Sequence, residues 1–135
     1  MKTEDIAISI TGYSYSNIKE TIPDGVDKEE IAAVYEEIID EYLQKGIPRE
    51  IPALINVSGI PGAGKSTFCK KLLAMPENSS AIYIGFDAIM ENERLPYIRE
   101  EVNHAEEAFK RWEFSARIAG YELLKRAIEN KYLII

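Results

Sequence analysis

Cysteine is almost absent: the 135-residue chain holds one, Cys69, so no internal disulfide can form and no cysteine-rich metal centre can be built. Histidine and tryptophan are equally scarce, with His104 and Trp112 the single examples. A histidine with no partner set in view reads as a helix-surface residue, and Trp112 reads most simply as core. An excess of basic charge is missing as well. The formal net charge is −7, from 16 Lys+Arg against 23 Asp+Glu, which argues against broad electrostatic binding to DNA or RNA. No apolar run approaches the roughly 18 residues that span a bilayer, so no membrane partner is expected. The opening stretch MKTEDIAISITGYSY has neither a basic start nor an apolar signal core, and the expected location is the cytoplasm.

What is present suits one globular domain, with 46% hydrophobic and 29% charged residues and no low-complexity tract or internal repeat. Residues 1–52 read as an N-terminal segment and helix, and residues 53–135 as the core. Ile6, Ile8 and Ile10 alternate with small residues and predict a short strand. Asp27 is placed to cap a helix through KEEIAAVYEEIIDEYLQKG. In that helix Ile31, Val34, Tyr35, Ile38, Tyr42 and Leu43 form the dry stripe, while Glu29, Glu30, Glu37 and Glu41 face water. Gly46 supplies its stop, and Pro48 and Pro52 keep the linker extended.

The apolar run at 53–58 predicts a strand buried on both faces. KSTFCKKLLA follows as a helix ended by Pro76. AIYIGF at 81–86 predicts a second strand, closed by Asp87. From about Glu101 to Lys131 a helical stripe runs through Ala108, Phe109, Trp112, Ala116, Ala119, Leu123 and Ala127. YLII then begins a third strand. Strand–helix–strand–helix–strand order predicts an α/β fold with a parallel sheet.

Between the first strand and its helix lies GIPGAGKST, residues 59–67. Gly59, Gly64, Lys65 and Ser66 satisfy the phosphate-loop pattern G-x-x-x-x-G-K-[ST] without a gap. The glycines admit backbone conformations closed to other residues, so that the loop Gly59, Ile60, Pro61, Gly62, Ala63 and Gly64 can turn its backbone N–H groups inward around the phosphates. The helix that follows adds its positive end. Lys65 would neutralise β- and γ-phosphate oxygens, the Ser66 hydroxyl would ligate Mg²⁺, and Thr67 suits the helix start. ATP and Mg²⁺ are the expected cofactors, and the fold expected is a three-layer P-loop NTPase type that stops after its third core strand.

Asp87 falls on the carboxyl edge expected of the second strand, where ligands bind in open α/β sheets. Its carboxylate suits a base for a substrate hydroxyl or a water-mediated Mg²⁺ contact; capping a short turn is the equal alternative. Glu113 and Arg117, four apart, most simply form an ion pair on one helix face. Tyr13, Tyr15 and Tyr97 could stack on a base or sugar, although nothing in the sequence selects them.

Taken together, IPALINVSGIPGAGKST, IYIGFDAIMENERLPY and AFKRWEFSARIAGYELLKRAIENKYLII resemble the zeta-toxin family of P-loop kinases, from about Asp27 to Ile135. FDAIM and WEFSAR carry most of that likeness, since the loop is shared by many NTPases. The resemblance implies an ATP- and Mg²⁺-dependent kinase that phosphorylates a small-molecule hydroxyl, UDP-N-acetylglucosamine in the best-known members, which are toxins paired with antitoxins. It implies Lys65 and Ser66 at the phosphates and metal, Asp87 as the base, and Arg117 in a structural or substrate-side role. An antitoxin-like protein is the partner it implies.

The chain departs from that pattern in two places. Gly120 stands where the best-known toxins carry an acidic residue that contacts the sugar nucleotide. The segment after the third strand, with its metal-side polar residue and lid arginines, is not in the sequence, so the expectation is the N-terminal part of a longer kinase. Rival readings are a polynucleotide or other small-molecule kinase, and a nucleotide-binding interaction module without turnover. A GTPase switch fits less well, because NKYL lacks the aspartate of the guanine-reading N/T-K-x-D motif.

Overall fold

The computed structural model describes residue 8 and residues 10–58 and 64–135. Among them lie a single turn α1, Ile18–Thr21, and the helices α2, Lys28–Leu43, and α3, Lys65–Ala74. They are followed by the short α4, Phe86–Met90, and the long α5, Tyr97–Glu129. Local signals decide where α2 begins. Asp27 is extended, and its Oδ1 accepts from the Glu29 and Glu30 N–H groups at 3.1 and 3.2 Å. Two of the donors that a helix start leaves open are thereby satisfied. Ile31, Tyr35 and Ile38 are buried and Glu29, Glu30, Glu37 and Glu41 are exposed, as the stripe predicts, while Val34, Tyr42 and Leu43 are half-buried and Ile39, outside the predicted stripe, is buried as well.

Helix α5 buries Ala108, Trp112, Ala116, Ala119, Leu123 and Ala127, and leaves Phe109 43% exposed. At His104 the backbone leaves helical geometry (φ −144°, ψ 57°), so α5 is two helical stretches joined at a kink. Glu100 spans that kink. Its carboxylate accepts from the Trp112 indole N–H at 2.7 Å and from Arg111 Nε at 2.8 Å. His104 itself is exposed, 3.9 Å from Glu107, and belongs to the surface as expected.

Polar pairs fix how α2 lies on α5. The Tyr35 and Ser115 hydroxyls share a buried hydrogen bond of 2.6 Å, and Ser115 also donates to the Trp112 carbonyl at 3.3 Å. Near the outer end, Arg126 donates to both Glu36 oxygens at 2.7 and 3.1 Å and to Glu122 Oε2 at 3.2 Å. The Tyr15 hydroxyl donates to Glu36 at 2.8 Å, and the guanidinium lies 5.5 Å from the Tyr15 ring centre. That cluster ties the segment before α1 to both helices. The α2–α5 packing thus combines an apolar stripe with geometry-specific polar contacts.

The expected parallel α/β sheet is not found. No strand forms among the described residues, and helix dominates. The three extended segments meet only through isolated parallel bridges, Leu54 with Ile134 and Ile82 with Ile134. On one side Ile55 N–H donates to Ile134 O at 2.8 Å and Ile134 N–H to Ala53 O at 3.0 Å. On the other, Ile82 N–H donates to Leu133 O at 2.8 Å and Ile135 N–H to Ile82 O at 3.0 Å. Further bonds run from Arg49 N–H to Lys131 O and from Ile84 N–H to Ile135 O, both at 2.9 Å, yet the bridges remain isolated and do not accumulate into a strand.

Lys131 turns left-handed at φ 60°, its N–H bonds Ile128 O, and the Tyr132 N–H bonds Ala127 O, both at 3.0 Å. This is a Schellman-type close, and it leaves residues 133–135 for pairing. A three-layer P-loop NTPase fold truncated after its third core strand therefore does not describe the molecule. Nor is the 53–58 run buried on both faces: Leu54 is 58% exposed, and Asn56 and Ser58 are exposed too. The strand expected over residues 6–10 also fails where it is described, since residues 8, 10 and 11 are helical; residues 6, 7 and 9 lie outside the described residues.

The extended segments still divide the apolar side chains into two groups. Ile82 packs with α2, α4 and α5 in the larger cluster, while Ala81, Leu133 and Ile135 pack with Cys69, Leu72 and Leu73 of α3. Among the described residues no helix is long and apolar enough to cross a membrane.

Candidate functional site

Phosphate-loop residues Gly59, Ile60, Pro61, Gly62 and Ala63 lie outside the described residues. Gly64 is described and does what its position requires. It takes a left-handed conformation (φ 90°, ψ 20°) as the N-cap of α3, with its carbonyl accepting the Phe68 N–H at 3.0 Å. Only glycine adopts that conformation without steric penalty. Lys65, Ser66 and Thr67 then form the first turn of α3 with exposed side chains, where the positive end of the helix dipole favours an anion.

Asp87 is reached from the other side. It is the second residue of α4, behind an extended Gly85 cap, with an exposed carboxylate that caps nothing. Its predicted place at a strand end is thus shifted onto a helix start. The turn is closed by backbone bonds from Ile89 N–H to Gly85 O at 3.1 Å and from Glu91 N–H to Asp87 O at 2.9 Å.

These approaches converge. Lys65, Ser66 and Asp87 all line one cavity of about 680 Å³ beside the bridged segments. A neighbouring cavity of about 630 Å³ shares Lys65 and adds Gly64, Thr67 and Lys71. Charge is divided between them: among the described side chains, the second is lined by two lysines and no carboxylate, and the first by Lys65 and Asp87. The lysine side together with the α3 N-terminus suits phosphate; the Asp87 side suits a group with a proton to lose.

Ser66 and Asp87 offer hard oxygen donors in the same cavity, a chemistry that fits Mg²⁺. Among the described residues no group of three or more His, Cys, Asp or Glu side chains gathers. A Mg²⁺ bound at Ser66 would therefore take most of its ligands from nucleotide phosphates and water, as this ion commonly does.

Arg117 is not brought to this site. It lines neither cavity and is engaged with Glu113 one turn back on α5, as the i,i+4 spacing predicts. Tyr13, Tyr15 and Tyr97 are also elsewhere. Tyr13 meets Phe114 edge-on, Tyr15 joins the Glu36–Arg126 cluster, and Tyr97 is buried.

The aromatic wall of the cavity is instead Tyr83, Phe86 and Tyr121, which sequence spacing does not single out. The Phe86 and Tyr121 rings meet edge to face, 5.1 Å apart at 63°. Gly120 makes room for this: a Cβ there would sit 2.3 Å from Phe86 Cδ1. Position 120 therefore has room for a hydrogen atom and not for a side chain. The signal available in the sequence was that glycine, set in an otherwise well-filled helix beside Tyr121.

Burial raises the Tyr83 hydroxyl above its ordinary value, with Cys69 and the Asp87 carboxylate adding to the effect. Comparisons with protein-family models, curated proteins and solved structures return no match for the chain.

Proposed function

We propose that the chain is an ATP-dependent, Mg²⁺-requiring phosphotransferase of the zeta-toxin type, acting on a hydroxyl of a small molecule. The observation that carries this reading is the single cavity lined by Lys65, Ser66 and Asp87, with a lysine-lined cavity at its side. Lys65, the first residue of α3, would draw negative charge from the β- and γ-phosphates, and the N-terminus of that helix would supply N–H donors to the same oxygens. Mg²⁺, when bound, neutralises phosphate charge as it builds in the transition state. Asp87 orients the acceptor hydroxyl and takes its proton as the oxygen bonds to the γ-phosphorus. The bond from that phosphorus to the β–γ bridging oxygen breaks, and ADP leaves with the electron pair.

A second reading, a nucleotide-binding module without turnover, has its own support in Arg117, which is held by Glu113 and adds no positive charge beside Asp87. Both readings require the nucleotide to bind through Lys65. Titration calorimetry with a non-hydrolysable ATP analogue and Mg²⁺ should show Lys65→Ala weakening affinity about tenfold or more, the worth of one charge-assisted contact. Unchanged affinity would remove both.

A further inference from the structure

Building on the phosphotransferase reading, we infer that the acceptor is an uncharged cyclic alcohol, a sugar or cyclitol without phosphate, stacked on the wall of Phe86 and Tyr121. Charge is the first argument. Lys65 and Asp87 are the only charged side chains among the described residues that line the cavity. The donor phosphates require Lys65, and Arg117 of α5 lines neither cavity and is paired with Glu113. An acceptor bearing its own phosphates would bring two or more negative charges toward the Asp87 carboxylate, in a cavity where Lys65 is the only cation among the described side chains and Lys71 lines the neighbouring, phosphate-side cavity. Uncompensated charge in a partly dry site is heavily penalised.

Shape is the second argument. Phe86 adjoins Asp87 in sequence, is locked against Gly120, and meets Tyr121 edge to face. A rigid aromatic surface directly beside the base suits the flat C–H face of a ring, and holds one hydroxyl of that ring near the carboxylate. Tyr83 closes the wall, its hydroxyl oxygen 3.0 Å from where a Cβ on Gly85 would lie. The Tyr83 and Tyr121 hydroxyls give the ring's other oxygens neutral partners. A sugar nucleotide finds a place for its sugar here and none for its diphosphate.

The test measures radiolabelled γ-phosphate transfer from ATP to methyl glycosides and inositol, each paired with the same ring carrying a phosphate or a uridine diphosphate. Transfer to uncharged rings, exceeding that to their charged counterparts, is the expected result. Tyr121→Ala should raise the acceptor KM about tenfold, the value of one aromatic contact, while Tyr121→Phe, which keeps the ring and loses only a neutral hydroxyl, should raise it by clearly less. Both variants should bind the ATP analogue as the unaltered protein does. Faster transfer to the phosphate-bearing rings overturns the inference, and so does nucleotide binding with no transfer to any uncharged ring. Absence of ATP-analogue binding to the unaltered protein would instead defeat the phosphotransferase reading on which the inference rests.

Discussion

Ser115 and Tyr35 show how much a single buried oxygen decides. Each is fully buried, and they share one hydrogen bond of 2.6 Å between α2 and α5. Ser115 has a second partner in the Trp112 carbonyl, whereas the Tyr35 hydroxyl has no other described contact. Removing one end is therefore not equivalent to removing the other. Ser115→Ala strands the phenol and should cost about 1–3 kcal/mol, while Tyr35→Phe leaves Ser115 satisfied and costs less. The double variant should be closer to Tyr35→Phe than to Ser115→Ala, a difference that urea denaturation midpoints can read. Equal costs for the two single variants would show that the bond is not the source of the effect. Gly120 makes the same point about space, since its missing Cβ is what lets Phe86 sit against α5 beside Asp87.

At the level of elements, what the sequence made legible was local and what it hid was paired over distance. The Asp27 cap and the α2 stripe follow from neighbours three and four residues apart, and so does the stripe of α5 from Ala108 to Ala127. The kink at His104 has no glycine or proline to announce it. The apolar runs near Leu54, Ile82 and Ile134 look like strands because length and composition match. Whether such runs become a sheet depends on consecutive pairing with remote segments, and here each pairing stops at an isolated bridge.

Glu36 was hidden for the same reason. It lies on a helix whose acidic residues read as solvated, yet it is clasped by Arg126 and Tyr15. The Arg126 hydrogen bonds, helped by Tyr15, hold its carboxyl below the ordinary 4.5 against the opposing effect of burial. Its contribution is complete above that ordinary value and is lost as pH falls through the lowered folded one. Glu36→Gln should cost about 1 kcal/mol at neutral pH, a modest figure because the side chain is partly solvated. The gap in melting temperature between the two proteins should close on acidification below the ordinary carboxylate range. A gap independent of pH would mean that packing, not charge, is what Glu36 provides.

For the molecule as a whole, the proposed function would depend on two helix starts, those of α3 and α4, being brought to one cavity by segments that barely pair. Lys65 and Ser66 enter from a helix packed on the smaller apolar cluster, and Asp87 from a helix packed in the larger one. Lys65, Ser66 and Asp87 were legible in the sequence as residue types, and the structure adds that they line one cavity. The aromatic wall was not, since Phe86 and Tyr121 belong to elements far apart in the chain. Such an arrangement holds the donor and acceptor sides on separate supports, so their contributions should separate experimentally. The most direct test of the central claim is γ-phosphate transfer by Asp87→Ala, measured alongside its affinity for ATP. The account predicts nearly unaltered ATP binding with transfer reduced about 10²-fold or more, the usual contribution of a general base; transfer at the unaltered rate would contradict it.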